Sequence, residues 1–151
     1  MTDLKDLYSK RVMELASDIP RQERLAAPQA TIFHDSPICG SRITVDLVVE
    51  GGRVAGYGQI VRACTLGQAS SSIMARHVVG RGTGELRATA KALRAMLKEG
   101  APPPTGEWDD LKILEPARDY KARHGSILLP FEAVVIALDE IETGKGAAGQ
   151  A

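Results

Sequence analysis

The sequence predicts an α+β fold, a small antiparallel sheet of about three strands covered on one side by helices. Three observations carry that expectation. The stretch RITVDLVVEGGRVAGYGQIV reads as two strands around a two-residue turn. All strand signals lie in the first half of the chain, and from Cys64 onward the apolar residues recur at helical spacing. At 151 residues the chain suits one domain, 1–151, with residues 1–2 and 143–151 expected to fray.

Taken in order, Leu4, Leu7, Tyr8, Val12 and Leu15 predict one amphipathic helix over 3–17, ended by Pro20. A short strand follows over 30–34, then the loop DSPICGS. Ile43, Val45, Leu47 and Val49 alternate with mostly polar neighbours, the pattern of a strand with one buried face. Gly51-Gly52 supplies the positive φ angles of a tight hairpin turn, and Arg53–Val61 returns antiparallel. Leu66, Ala69, Ile73 and Val78 mark a helix opened by Cys64 and interrupted at GRGTG. Thr83 is placed to cap a second helix, with Leu86, Ala90, Leu93 and Leu97 as its buried stripe and Gly100 as its stop. GAPPPTGEWDD reads as a loop, because consecutive prolines sustain neither helix nor central strand. Ser126 is placed to cap a last helix reaching about Glu142, with Ala133, Val134, Ala137, Leu138 and Ile141 inward; Pro130 suits that helix only in its first turn.

Composition narrows the function. Lys+Arg and Asp+Glu are 19 each, so no basic excess points to nucleic acid or an anionic membrane, and the local runs at 76–87 and 118–123 read as solvated faces. The N-terminal stretch has neither a continuous apolar core nor a small-residue cleavage site, and no segment approaches the roughly 18 apolar residues of a membrane span. A cytoplasmic protein is expected, in which Cys39 and Cys64 are free thiols or ligands before they are a disulfide. No self-sufficient enzyme is indicated. GRGTGE lacks the lysine and preceding strand of a phosphate loop, no serine lies in G-x-S-x-G, and Asp109-Asp110 read as helix-start residues.

Three candidate ligands occupy comparable places. Cys39 precedes a strand, Cys64 follows its hairpin partner and opens a helix, and His124 stands before the last helix. Ends of elements gather at one edge of a sheet, so the three are expected to converge. Thiolate and imidazole suit zinc and iron–sulfur clusters, and a helix N-terminus favours a thiolate. Taken singly, each cysteine also fits a small buried apolar side chain and His124 a surface or cap residue. His34 and His77 have no partner pattern and read as structural.

PICGSRITVDLVVEGGRV resembles the first cysteine motif of the NifU/IscU-like iron–sulfur cluster scaffold family, P-x-C-G-D before a strand. ACTLGQASSSIMA resembles its second, a cysteine followed five residues later by A-S-S-S. RHGSILLPFEA is similar to the third, where a cysteine, often preceded by histidine, opens the last helix. The order and spacing of these motifs agree from about Leu4 to Ile141.

The resemblance implies a [2Fe–2S] cluster assembled on three cysteines with the help of an aspartate, sulfur from a cysteine desulfurase, and apo-acceptor proteins as recipients. It also implies a zinc-binding branch, allows a homodimer, and offers no nucleic-acid or membrane partner. Residue by residue, Cys39 and Cys64 match the first two cysteines and His124 the histidine before the third. Ser41 stands in the place of the aspartate and Gly125 in that of the third cysteine. PARDYKA replaces the family's proline-rich chaperone-docking segment.

Three readings follow. The chain is a divergent scaffold holding iron or a cluster with help from a second subunit or an external thiol, with Cys39, Cys64 and His124 as ligands. Alternatively it is a zinc module on the same three residues, with water or a carboxylate as fourth ligand. The third reading is a metal-free interaction protein that keeps the scaffold fold.

Overall fold

The computed structural model describes residues 4–144; the expected fraying at residues 1–2 and beyond Gly144 lies outside them. A three-stranded antiparallel sheet, ordered β1-β2-β3, is built from β1 (Ala30–Ser36), β2 (Ser41–Glu50) and β3 (Arg53–Arg62). Five α-helices accompany it: α1 (Leu4–Leu7), α2 (Lys10–Ser17), α3 (Thr65–His77), α4 (Thr83–Lys98) and α5 (His124–Thr143). The fold is α+β, as the sequence predicts.

The hairpin forms where its residues dictate. Gly51 and Gly52 both take positive φ, 60° and 76°, and Glu50 faces Arg53 across the turn. A register shift between Val48 and Val49 admits one extra residue on β3. Ile43, Val45 and Leu47 are buried on the inner face, where α5 packs against β1 and β2 and α3 packs against α5. α5 carries Ile127, Leu128, Phe131, Val134 and Leu138 into that core.

Four elements depart from the sequence expectation for local reasons. The single helix over 3–17 is two, because Ser9 takes an extended conformation (φ −61°, ψ 165°) and its hydroxyl accepts from the Val12 N–H, capping α2. Gly82, not Thr83, caps α4: residues 80–82 are bonded to the hairpin through Gly80 N–H to Val54 O and Val54 N–H to Arg81 O. The stretch after the prolines is two 3₁₀ segments, Gly106–Asp119 and Lys121–Arg123, and it buries Trp108, Leu111 and Leu114. α5 begins at His124, so Ser126 lies inside its first turn rather than capping it, and Pro130 falls in the second turn.

The outer face of the sheet is half covered. Segment 21–27 crosses it over Asp46, which is fully buried and accepts from Arg24 Nε (2.7 Å) and Nη2 (3.1 Å), the Leu25 N–H (2.9 Å) and Thr31 Oγ1 (2.6 Å). Burial pushes the Asp46 carboxyl up, but the donors from Arg24, Thr31 and Leu25 and the Arg24 charge outweigh it and hold the group below its ordinary value. Towards the other end, Phe33, Thr44 and Ile60 form one row across the three strands and Asp35, Arg42 and Arg62 the next, and that part of the face is open.

Asp46→Asn should cost about 2 kcal/mol in urea unfolding at pH 7, since it strands the donors now satisfied by the carboxylate. A carboxyl whose pKa is depressed by folding stabilises fully above its unfolded value and loses that contribution as pH falls through its folded value. The gap between the two proteins should therefore close as pH drops below about 4.

Candidate functional site

Ser36 and Ser41 flank the turn that joins β1 to β2, and Cys39 lies within it, with Gly40 at φ 73°. Arg62 ends β3 and is followed by Ala63 and Cys64. Cys64 is the N-cap of α3 in extended conformation (φ −66°, ψ 169°), and its side chain makes no capping hydrogen bond. The first turn of α5 comes down on the same end of the sheet. Antiparallel connectivity brings the β1–β2 turn and the end of β3 together, and the packing of α5 on β1 and β2 adds the third element end.

The two cysteines are joined by hydroxyls. Cys39 Sγ is 3.4 Å from both Ser36 Oγ and Ser41 Oγ. Ser41 Oγ is 3.0 Å from Ser126 Oγ, which is 3.1 Å from Cys64 Sγ. The Cys64 N–H donates to Ser41 Oγ at 3.4 Å. Ser36, Ser41 and Ser126 are buried, whereas both cysteines are partly exposed and both are free thiols. The site is a thiol pair bedded in neutral hydroxyls and open on its outer side.

Its electrostatics are set by those hydroxyls. Burial pushes the Cys39 thiol up. Hydrogen bonds from Ser36, from the Ser41 hydroxyl and N–H, and from Ser126 favour the thiolate more, and together bring it from 9.0 to about 7.

Two glycines allow the close fit. A Cβ on Gly67 would fall onto Ser126 Oγ and come within 2.8 Å of Ala63 Cβ, so only glycine lets α3 pass this close to α5. A Cβ on Gly125 would fall onto Ser36 Oγ. Gly125 has no positive φ that would demand glycine; its missing side chain is replaced by the Ser36 hydroxyl.

His124 is not brought to the thiols. It is buried, with Nε2 2.9 Å from Ala117 O and 3.2 Å from Arg118 O, and Nδ1 3.5 Å from Lys98 Nζ. These partners fix the neutral ring with its proton on Nε2. Burial holds its pKa below the ordinary value, aided by Lys98 and Lys121 and opposed by the two carbonyls. Among the described residues, no group of three His, Cys, Asp or Glu side chains stands where it would hold one metal ion. His34 pairs with Glu132 at 3.0 Å and His77 with Asp110 at 3.2 Å, with the His77 ring edge-on to Trp108.

Of the three site serines, sequence reasoning singles out Ser41, in the place of the motif aspartate, and misses the roles of Ser36 and Ser126. Ser126 reads from sequence as a helix cap, and nothing in the sequence singles out Ser36 beyond its nearness to Cys39. In the A-S-S-S run, read as small packing residues, Ser70 donates to Ile127 O and Ser72 to Asp18 O.

The arrangement is that of a small cysteine-bearing α+β scaffold, and comparison with known proteins agrees. The crystal structure of a nitrogen-fixing NifU-like protein (N-terminal) from Brucella abortus superposes with a TM-score of 0.92 at 47% identity, over 93% of this chain and 97% of that one. The chain belongs to the NifU/IscU-like family. The iron–sulfur cluster assembly scaffold protein IscU of Thermotoga maritima is 24% identical over 139 residues, 91% of this chain and 96% of that protein. A SUF-system protein of Fervidobacterium islandicum AW-1, described as an iron–sulfur cluster assembly scaffold, shares the fold at a TM-score of 0.82 and 18% identity, over 90% and 99% of the two chains. No protein-family profile matches the chain.

In a Cys64→Ala background, the rate at which iodoacetamide alkylates Cys39 should rise with pH through a midpoint near 7. Ser41→Ala should move that midpoint upward by removing one of the donors. A midpoint at the ordinary thiol value in both proteins would refute the role given to the hydroxyls.

Proposed function

We propose that the protein is a non-enzymatic iron–sulfur cluster assembly scaffold, taking up iron or a [2Fe–2S] cluster through Cys39 and Cys64 and releasing it to acceptors. One observation carries the reading: two partly exposed thiols, one titrating near 7, meet at the sheet end of a chain of this family. A thiolate is the soft ligand that ferrous and ferric iron take from protein in such clusters, and a thiol that ionises near neutral pH gives up its proton readily on binding. The scaffold names of the Thermotoga and Fervidobacterium proteins support the same function. On this reading a cysteine desulfurase supplies sulfur and apo-proteins receive the product. No helix among the described residues is long and apolar enough to cross a membrane, which suits exchange between dissolved proteins in the cytoplasm.

His124 enters as a positioning residue. By donating to the Ala117 carbonyl and accepting from Lys98, it pins the start of α5 and with it Ser126, the hydroxyl between the two thiols. Residues 116–122 carry the Ala117 and Arg118 carbonyls that hold the ring, so PARDYKA serves here as part of the frame.

The deciding measurement is iron, zinc and acid-labile sulfide in protein purified without oxygen. Iron and sulfide in equal amounts are expected, reduced at least tenfold in Cys39→Ala and in Cys64→Ala. Zinc without iron would establish the zinc module, and neither metal would establish a metal-free interaction protein.

A restored ligand gives an independent check. Gly125→Cys alone forces its Cβ onto Ser36 Oγ, and pairing it with Ser36→Ala clears that space. The paired variant should hold a reconstituted cluster against a chelator at least several-fold longer than the parent, with Gly125→Cys alone in between.

A further inference from the structure

We infer that the groove between α4 and α5 binds a small straight-chain carboxylate, its apolar body lying along the groove and its charge at Lys91. The inference goes beyond the scaffold reading and does not depend on it, since the groove includes neither thiol.

The groove exists because one residue of α4 is small. α4 packs beside α5, and two arginines of α4 bridge to α5 at the ends of the groove. Arg87 meets Asp139 and Glu142, both at 2.7 Å, and Arg94 meets Glu132 at 3.9 Å. Between the bridges α4 contributes only Ala90 and Lys91 to the lining, and a single methyl leaves the space open. Buried Leu128 and Phe131 and half-buried Val135 and Ile136 complete an apolar lining from α5. The space measures about 540 Å³, the size and character of a small-molecule site.

The charges around it are settled except one. Arg87 and Arg94 have their carboxylates, and Glu132 is also 3.0 Å from His34 Nε2. Lys91 is exposed, and among the described residues no hydrogen bond or ion pair reaches it. One uncommitted cation above an apolar groove complements one anion carried on an apolar body. A second copy pairing the same groove about a two-fold axis would bring Lys91 to a like cation instead. The bridges stand seven residues apart on α4, from Arg87 to Arg94, which is about 10 Å of helix. That distance sets the apolar length the groove can cover.

The test titrates the intact chain with sodium hexanoate, octanoate, decanoate and dodecanoate, each below its micelle concentration, by isothermal calorimetry. Amide NMR shifts locate the ligand. Affinity should rise roughly two- to fourfold with each added methylene, as partial to full burial dictates, and level off at decanoate, where the chain outruns the bridges. Shifts should centre on Ala90, Lys91, Val135 and Ile136. Lys91→Glu, at an exposed position, should keep the parent circular dichroism and weaken decanoate at least fivefold, while uncharged decanol binds both proteins alike. Ala90→Leu fills the space with an apolar side chain and should abolish binding; if it misfolds, Lys91→Glu and decanol still decide. Affinity that ignores chain length or Lys91, or shifts centred elsewhere, would overturn the inference. So would a concentration-dependent dimer in sedimentation velocity that Ala90→Leu disperses, since a second copy would then own the groove.

Discussion

The hydroxyl of Ser126 is the joint on which the site depends. It sits 3.1 Å from Cys64 Sγ and 3.0 Å from Ser41 Oγ, and so ties the first turn of α5 to the start of α3 and the start of β2. The contact exists because Gly67 removes a side chain that would occupy the same space, and because His124 holds the helix start from below through Ala117 and Lys98. Remove that contact and the side-chain link between the two thiols is lost, leaving the bond from the Cys64 N–H to Ser41 Oγ to join them.

The same hydroxyls set the charge of the site. The family pattern places an aspartate and a third cysteine here, both anionic when bound to a cluster; this chain has Ser41 and Gly125, with Ser36 filling the room beside the glycine. Burial raises the Cys39 thiol, but the hydrogen bonds from Ser36, Ser41 and Ser126 stabilise the thiolate more, which is why Cys39 lies near 7. The cost is a smaller ligand set.

How much of this was legible in the sequence divides along local and non-local lines. The hairpin was readable because its signals are local: alternation in 43–49 and two glycines at the turn. The convergence of Cys39 and Cys64 was readable because each stands at the end of an element whose neighbour the hairpin fixes. The division of the first helix at Ser9 was in principle readable as well, since serine is a strong cap, but the apolar spacing of Leu4 to Leu15 runs straight through it. The 3₁₀ path of 106–123 was not, for it is held by tertiary contacts: Trp108 Nε1–H to Glu85, Arg118 to the Met96 and Ala101 carbonyls. That path decides where His124 points. A histidine beside a ligand position was expected to join the thiols, yet its ring turns to the carbonyls the 3₁₀ segment offers. Ser36 is not legible because its partner, the empty space at Gly125, is defined only once the 88 residues between them have folded.

The two thiols are not mechanically equivalent, and that shapes how a cargo leaves. Cys64 caps α3, its backbone N–H is bonded to Ser41, and moving it means unwinding a helix end packed against α5. Cys39 stands in a four-residue turn between strands, beside an exposed Ile38 and a glycine in the left-handed region, and a turn can shift without disturbing either strand. On the scaffold reading proposed above, a competing thiol from an acceptor would meet the softer attachment at Cys39, while Cys64 would hold the cargo until exchange was under way. Cys39 is also the thiol whose hydroxyl donors stabilise it as a free anion. On that reading the thiol that is easiest to move is also the one best supported as a free anion, a coincidence that would favour release at Cys39 first.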